Sequence, residues 1–261
     1  MEIDNDNKNL IDTFKLIAKK RYIKGVNMYS NSIGLTFEKE LNKKADSMYF
    51  PDFYGIEIKC TGRFSRYPIS LFTAAFDGPT FPEIDRLLNN YGYYDKDFKD
   101  KKVLFANLNC HISKLFNKNF IFRLDFSFEE EKVYLCIYDI NNNLIERKSY
   151  IFFETLYNHL LLKLKKMAIV YGSIKRESDA HYFRYYKIEI YNLISKERFL
   201  ELLMNKTIMV QLIARVSRSG DKKGQYRNKN LLFQIKKEDI EKLFKKIYLY
   251  DYDNYLEKCY F

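Results

Sequence analysis

Between residues 120 and 153 the chain runs through three stretches, FIFRLDFSF, KVYLCIYDI and LIERKSYIFF, each crowded with aromatic and aliphatic residues and each bounded by polar ones. Such runs favour strands, and the turn residues between them, most plainly Asn141, Asn142 and Asn143, favour reversal of the chain. Three strands joined this tightly make an antiparallel meander, which excludes an all-helical architecture. The flanks are mixed. NLIDTFKLIAKKRY places Leu10, Ile11, Phe14, Ile17 and Ala18 at helical spacing. In NSIGLTFEKELNKKA, Thr36 stands directly before Phe37, Glu38 and Leu41, which reads as a helix entered after a glycine-containing turn. GIEIKC alternates as a short strand, with Ile56, Ile58 and Cys60 on one face and Glu57 and Lys59 on the other. ISLFTAAF and KKVLFANL read as strands, and FPEIDRLLNNYG as a helix with Pro82 at its start and Gly92 just past its end. Beyond the meander, ETLYNHLLLKLKKM reads as an amphipathic helix, AIVYGSIKR and YFRYYKIEIYNL as strands, and SKERFLELLMN as a helix. TIMVQLIARV reads as a strand, SRSGDKKGQYRNKN as a charged loop, LLFQI as a strand and KKEDIEKLFKKI as a closing helix. The expectation is a mixed α/β fold without repeats. It divides near residue 166 into two lobes, 1–165 and 166–261, that no true linker separates and that one continuous domain would also accommodate.

Composition narrows the class. A chain of 261 residues, 47% hydrophobic, has ample material for a core of this size. No apolar run is long enough to cross a bilayer, and the N-terminus, MEIDNDNKNL, is acidic and polar rather than signal-like, so a cytoplasmic protein is expected. Cys60, Cys110, Cys136 and Cys259 are scattered without CxxC pairing, which points to reduced thiols rather than a zinc site or disulfide framework. The formal net charge of +11 favours a polyanionic partner, nucleic acid first. A chain rich in Lys, Asn, Tyr, Phe and Ile and lacking Trp is also what an AT-rich genome encodes, so charge supports that partner without establishing it.

The stretch with chemistry in it is PDFYGIEIK, residues 51–59. Asp52 and Glu57 supply hard oxygen donors, and Lys59 follows Glu57 after one spacer. Pro51 restricts the chain before Asp52 and Gly55 permits a tight bend, so a bend followed by a strand folds Asp52 back toward the face that carries Glu57 and Lys59. Two carboxylates and an ammonium would then share one small space, with the backbone carbonyl of Ile58 between them as a further oxygen. Mg²⁺ takes such donors and completes its octahedron with water and phosphate oxygens. The spacing alone decides nothing, because DFSFEEEK repeats it with Asp125, Glu130 and Lys132. That copy lies between two strand signals and reads as a solvated hairpin turn. A solvated Glu–Lys edge remains the competing reading of the first copy.

PDFYGIEIK resembles the PD-(D/E)xK nuclease superfamily, in which Pro-Asp precedes a strand bearing Glu-x-Lys. SIGLTFEKEL at 32–41, PDFYGIEIKC at 51–60 and SRYPISLFTAAFDGP at 65–79 together resemble the MvaI/BcnI family of restriction endonucleases, relatives of MutH and of Sau3AI-type enzymes. The resemblance implies a restriction-endonuclease-like core, a mixed sheet flanked by helices, in 1–165, and an α+β DNA-recognition lobe in 166–261. It implies a Mg²⁺-dependent, site-specific endonuclease of type II acting on double-stranded DNA as a monomer, one strand at a time, with Mn²⁺ able to substitute and a cognate DNA methyltransferase as a genetic partner only. Asp52 and Glu57 become metal ligands, with the Ile58 carbonyl, and Lys59 the catalytic lysine. Glu38 becomes the helix carboxylate facing the metal, against the plainer reading of a surface residue among Lys39, Glu40, Lys43 and Lys44. The family's C-terminal segment offers a histidine near a glycine. Here the corresponding stretch is GQYRNKN, and His111, His159 and His181 lie elsewhere and read as structural, so base recognition is expected to differ.

Candidates for DNA contact are Arg63 and Arg66, directly after the acidic strand, and Arg215, Arg218, Lys222, Lys223, Gln225, Arg227, Asn228 and Lys229, crowded near one loop. Arginine pairs bidentately with guanine and Gln or Asn with adenine, while lysines neutralise phosphates; a solvated basic turn is the bland alternative. Two rival functions stand beside the restriction enzyme: a MutH-like repair nickase with the same chemistry, and a non-catalytic DNA-binding protein. The intact Asp52, Glu57 and Lys59 argue against the last.

Overall fold

The computed structural model describes residues 4–42, 51–108 and 119–254. In chain order the elements are α1 (Asn5–Lys19), β1 (Ile23–Lys24), α2 (Ser32–Glu40), β2 (Glu57–Gly62), β3 (Ile69–Ala74), α3 (Glu83–Tyr91), β4 (Tyr93–Tyr94), β5 (Lys102–Asn107), β6 (Ile121–Ser127), β7 (Lys132–Tyr138) and β8 (Leu144–Phe152). They continue with α4 (Phe153–Leu164), β9 (Lys166–Arg176), β10 (His181–Leu193), α5 (Lys196–Met204), β11 (Ile208–Val216), β12 (Tyr226–Ile235), a 3-10 turn (Lys237–Asp239), α6 (Ile240–Leu243) and β13 (Phe244–Asp251). The mixed α/β class expected from the sequence is what the chain adopts. Cys60 and Cys136 are free thiols; Cys110, Cys259, His111, Lys43 and Lys44 lie outside the described residues.

The chain forms two compact units that interleave along the sequence. One is drawn from Met1–Tyr67, Leu161–Ser195 and Ile240–Phe261, the other from Pro68–Leu160 and Lys196–Asp239. In the first unit the strands run in the order β1-β10-β9-β2, with β13 also pairing β10. Among the described residues only β2 and β9 pair in parallel in this sheet, Glu57 opposite Met167 and Lys59 opposite Ile169. A cut at 165/166 falls immediately before β9 and so divides this sheet, placing β2 and its parallel neighbour in different lobes. Side chains of α1 (Leu10, Phe14, Ile17) and α2 (Ile33, Phe37) cover the sheet face carrying Ile58, Val170, Tyr185 and Ile188. Tyr185 donates its buried hydroxyl to the Ile33 carbonyl at 2.6 Å. Glu57 and Lys59 belong to the opposite face.

The second unit holds an antiparallel sheet in the order β3-β12-β11-β5-β4 and the meander β6-β7-β8. α3 starts after Pro82 and stops at Gly92, as expected, and a side chain at Gly92 would stand 2.3 Å from the Leu88 carbonyl. A buried ion network joins this helix to β8. Arg86 reaches Glu83 and Glu146, which are 0% and 9% exposed, and Tyr91 and Ser149 add hydroxyls.

Three elements depart from expectation. α2 begins at Ser32, not after Thr36, so Gly34 lies inside it; the Thr36 hydroxyl accepts from the Val26 amide at 3.2 Å and is a tie to the preceding loop instead of a cap. The closing helix is one turn long, because from Phe244 the chain pairs with β10, and an open strand edge outweighs helical periodicity in a short segment. β12 starts at Tyr226, inside the stretch read as loop, and pairs with β11 through a register shift.

Candidate active site

Phe53 and Ile56 exchange both backbone hydrogen bonds, at 3.0 and 2.8 Å, and the residues between them, Tyr54 and Gly55, have φ of 44° and 77°. Positive φ at both central positions is the signature of a two-residue hairpin turn of type I′, whose twist suits the strand that follows. The turn reverses the chain, and Asp52 comes back alongside β2. Its Oδ2 accepts from the Ile58 amide at 2.8 Å. In a strand the N–H and C=O of one residue point to the same edge. The Ile58 carbonyl therefore faces the edge that Asp52 occupies, away from β9. The bend expected from Pro51 and Gly55 is thus present, and it fixes one carboxylate beside the strand.

Glu57, the first residue of β2, is 2% exposed. Its Oε1 lies 2.5 Å from Lys59 Nζ and 3.6 Å from Lys163 Nζ, on the last turn of α4. Its Oε2 is buried with no hydrogen-bond partner among the described residues. Burial pushes the Glu57 carboxyl above its ordinary pKa of 4.5; the Lys59 ammonium opposes this, and the negative charge of Asp52 adds to it. A buried carboxylate oxygen left without a donor is costly, and a cation is the natural relief. Glu38 is half-buried on α2. Its charge, with that of Asp52, adds to burial in raising the Cys60 thiol, which sets both carboxylates near that residue of β2.

Among the described residues no three His, Cys, Asp or Glu side chains gather closely enough to hold a metal ion by themselves. The donors at hand are the orphaned Oε2 of Glu57, the carboxylate of Asp52 and the Ile58 carbonyl. Such a hard-oxygen set, short of a full coordination sphere, suits a divalent cation that keeps water and takes phosphate oxygens.

The second copy of the spacing is what it seemed in sequence. Asp125 lies on β6 and Glu130 in the turn that follows it, Arg147 stands 2.8 Å from Asp125, and Glu130 accepts from the Tyr134 hydroxyl. Both carboxylates are exposed and already neutralised.

Arg63 and Arg66 sit in the exposed turn after β2. Arg63 donates its amide to the Gly172 carbonyl at 2.9 Å, and its guanidinium lies 5.6 Å from the Tyr186 ring. Arg215, Arg218, Lys222, Lys223, Gln225, Arg227, Asn228 and Lys229 are exposed on β11, β12 and the turn joining them in the second unit. Arg218 is held by Asp95 and Asp97, and Lys229 by Asp85. His159 stacks on Phe72 and His181 lies on β10, both structural positions. Lys163 escaped sequence reasoning: only the parallel pairing of β9 with β2 shows that the end of α4 falls beside Glu57.

The profile of the MvaI/BcnI restriction endonuclease family matches residues 11–244. The chain belongs to that family. Two solved structures of MvaI are similar in fold. One, a restriction endonuclease MvaI–cognate DNA substrate complex, has a TM-score of 0.86 at 24% identity, covering 96% of this chain and 99% of that one. The other, MvaI in the absence of DNA, has a TM-score of 0.58 at 23% identity, covering 95% and 98%. No curated protein matches. As a member of the MvaI/BcnI family the chain is a restriction-type DNA endonuclease. Among its described residues no helix is long and apolar enough to cross a membrane.

Proposed function

We propose that this family member is a Mg²⁺-dependent type II endonuclease that hydrolyses phosphodiester bonds at a specific sequence in double-stranded DNA, with Asp52, Glu57 and Lys59 as its catalytic set. The observation that carries the reading is the orphaned, buried Oε2 of Glu57 beside an Asp52 that the type I′ turn has locked to the strand edge. Asp52, Glu57 and the Ile58 carbonyl are the ligands, and Glu38 faces the site from α2. A Mg²⁺ held there would supply Lewis-acid chemistry, polarising the scissile phosphate and lowering the pKa of a water molecule. Lys59, already 2.5 Å from Glu57, orients the attacking water and offsets charge that develops on the phosphate. Glu57 in turn holds the Lys59 ammonium in position. Asp52 cannot swing away without giving up its bond to the Ile58 amide. Mn²⁺ serves in place of Mg²⁺, being a hard cation with the same preference for oxygen.

In this reading the unit that contains β2 is the catalytic one, and the β11–β12 hairpin reads the DNA. The catalytic and recognition roles, expected from the sequence for 1–165 and 166–261, are assigned in this reading to the two interleaved units. The protein works in the cytoplasm as a monomer, and a methyltransferase of the same specificity protects the host DNA.

The test is incubation with plasmid and unmethylated phage DNA, with and without Mg²⁺. Discrete fragments that depend on the cation, reached through an open-circle intermediate, are the expected result. A smear, or cutting that persists in a strong chelator, contradicts it. Nicking confined to mismatch-dependent reactions would favour the repair nickase.

A further inference from the structure

The basic side chains around the β11–β12 hairpin have unequal surroundings. Arg218 gives both ends of its fork to the buried Asp95, at 2.8 and 2.7 Å, and also pairs with Asp97. Asp95 accepts in turn from the amides of Asp97 and Phe98. The turn itself is closed by Ser217 donating to the Gln225 carbonyl and Gly224 to that of Ser217, while Lys101 donates to the Gly224 carbonyl. Lys229 pairs with Asp85 at 2.6 Å. Arg218 and Lys229 are thus committed within the protein.

Arg215 and Arg227 are not. They stand directly opposite each other on β11 and β12, next to a bulge at which Asn228 takes φ of 54°. Among the described residues neither makes an ion pair. The Arg215 guanidinium lies 4.2 Å from the centroid of the Phe105 ring on β5, a cation–π contact that favours one placement of the side chain. Although its side chain reaches solvent, partial desolvation by its neighbours, with the like charges of Arg227 and Arg218 and against the influence of Tyr93, pulls its pKa below the ordinary arginine value. Like charges directly opposite on paired strands destabilise a sheet. Here Arg218, anchored on Asp95, adds a third like charge close by, and the Phe105 ring lies against Arg215, so the repulsion is built in and an anion would relieve it.

We propose that Arg215 and Arg227 form a two-guanidinium clamp for a group of the bound DNA that offers two adjacent acceptors, with Arg218 as the strut that positions the clamp rather than as a contact. Two groups of duplex DNA have that chemistry: the O6/N7 edge of guanine and the phosphate. The inference rests on the DNA-cleaving reading above and sharpens it.

The experiment uses the full chain with Arg215→Gln, Arg227→Gln and Arg218→Ala. Binding is measured in Ca²⁺ at several salt concentrations, on the duplex that the wild-type protein cuts, on a scrambled duplex, and on the cut duplex with 7-deazaguanine in place of guanine. Arg215→Gln and Arg227→Gln should each weaken binding roughly tenfold or more, the scale of one bidentate contact. If the acceptor is guanine, the loss is confined to the cut sequence, and 7-deazaguanine costs the variants nothing further. If it is phosphate, both duplexes lose alike and the salt dependence flattens by about one counterion per arginine. Either outcome supports the clamp. The unfolding midpoint of free Arg227→Gln should rise at low salt, and the gain should vanish at high salt, because a repulsion has been removed. Arg218→Ala should instead lower the midpoint. Wild-type affinity in both glutamine variants overturns the clamp, as does a fall in the Arg227→Gln midpoint at low salt. A wild-type protein that neither binds nor cuts DNA overturns the functional reading instead.

Discussion

Arg86→Met should be among the most damaging single changes outside the catalytic site. The guanidinium donates to Glu83 Oε1 from two nitrogens, at 2.9 and 2.5 Å, to both oxygens of Glu146, at 3.0 and 2.5 Å, and to Ser149 at 3.1 Å. The Glu83 side chain is 0% exposed and that of Glu146 9%, while Arg86 itself is 22% exposed. Methionine fills a similar volume but leaves two buried carboxylates facing each other without a cation. Breaking a buried pair from one side costs about 3–5 kcal/mol, against a total stability on the order of 5–15 kcal/mol for a typical domain. Urea unfolding at pH 7.5 measures the loss. The sign of the pH dependence is a second check. In the wild type burial raises the pKa of Glu83 and Glu146, but the bonds from Arg86 outweigh it and hold both below the ordinary 4.5. A depressed folded-state pKa contributes stability above the unfolded value and loses it as pH falls through the folded one. Without Arg86, burial is opposed only by the hydroxyls of Ser149, Thr80 and Tyr91 and the charge of Lys148, and both values should move upward past 4.5. The contribution is then present at low pH and lost as pH rises through the raised pKa. Between about pH 4.5 and 6 the variant should therefore lose stability with rising pH, while the wild type does not. A cost below about 1 kcal/mol, the range of an exposed ion pair, or slopes of the same sign, would refute the reasoning.

Gly55→Ala should cost about 1–2 kcal/mol through its φ of 77° alone, since nothing lies within 4 Å of the added carbon, and should slow cleavage by displacing Asp52; unchanged urea unfolding and cleavage would show that the turn does not set the site. Replacing Asp125, Glu130 and Lys132 together by alanine should leave the cleavage rate unchanged, and a loss of cutting in a folded variant would move the active site to that turn. Cleavage should fail on acidification at a pH above the ordinary 4.5 of a glutamate, because Glu57 must be ionised to act and burial raises its pKa; a rate profile flat down to pH 4.5 would contradict that. Lys163→Met should slow cleavage by about tenfold to a hundredfold, the scale of losing an outer partner of a ligand, at unchanged DNA affinity, and Lys163→Arg should restore most of the rate; equal rates in all three proteins would make Lys163 a bystander.

The parts of this fold legible in the sequence were those set by local chemistry. Gly55 in a bend and strict alternation from Ile56 were enough to anticipate how Asp52 returns to β2, because a two-residue turn carries its own geometry in its residues. The polar turn at 128–131 was readable for the same reason. Partnerships over long sequence distances were hidden. That β9 pairs in parallel with β2, and so brings Lys163 to Glu57, follows from sheet order, which no local pattern encodes. The anchoring of Arg218 by Asp95 was equally silent, since each alone reads as an ordinary surface charge. The two units interleave, and a boundary that the chain crosses more than once has no linker to mark it in the sequence.

The central claim is that Asp52, Glu57 and Lys59 hydrolyse DNA together with a divalent cation. Single-turnover cleavage of one defined duplex in Mg²⁺, with binding of the same duplex measured in Ca²⁺, tests it in wild type, Asp52→Ala, Glu57→Ala and Lys59→Ala. The account expects each variant to bind the duplex nearly as the wild type does and to cut it at least about a hundredfold to a thousandfold more slowly, the scale of removing one preorganised electrostatic group. Cutting at the wild-type rate by any of the three, with the fold intact, would contradict it.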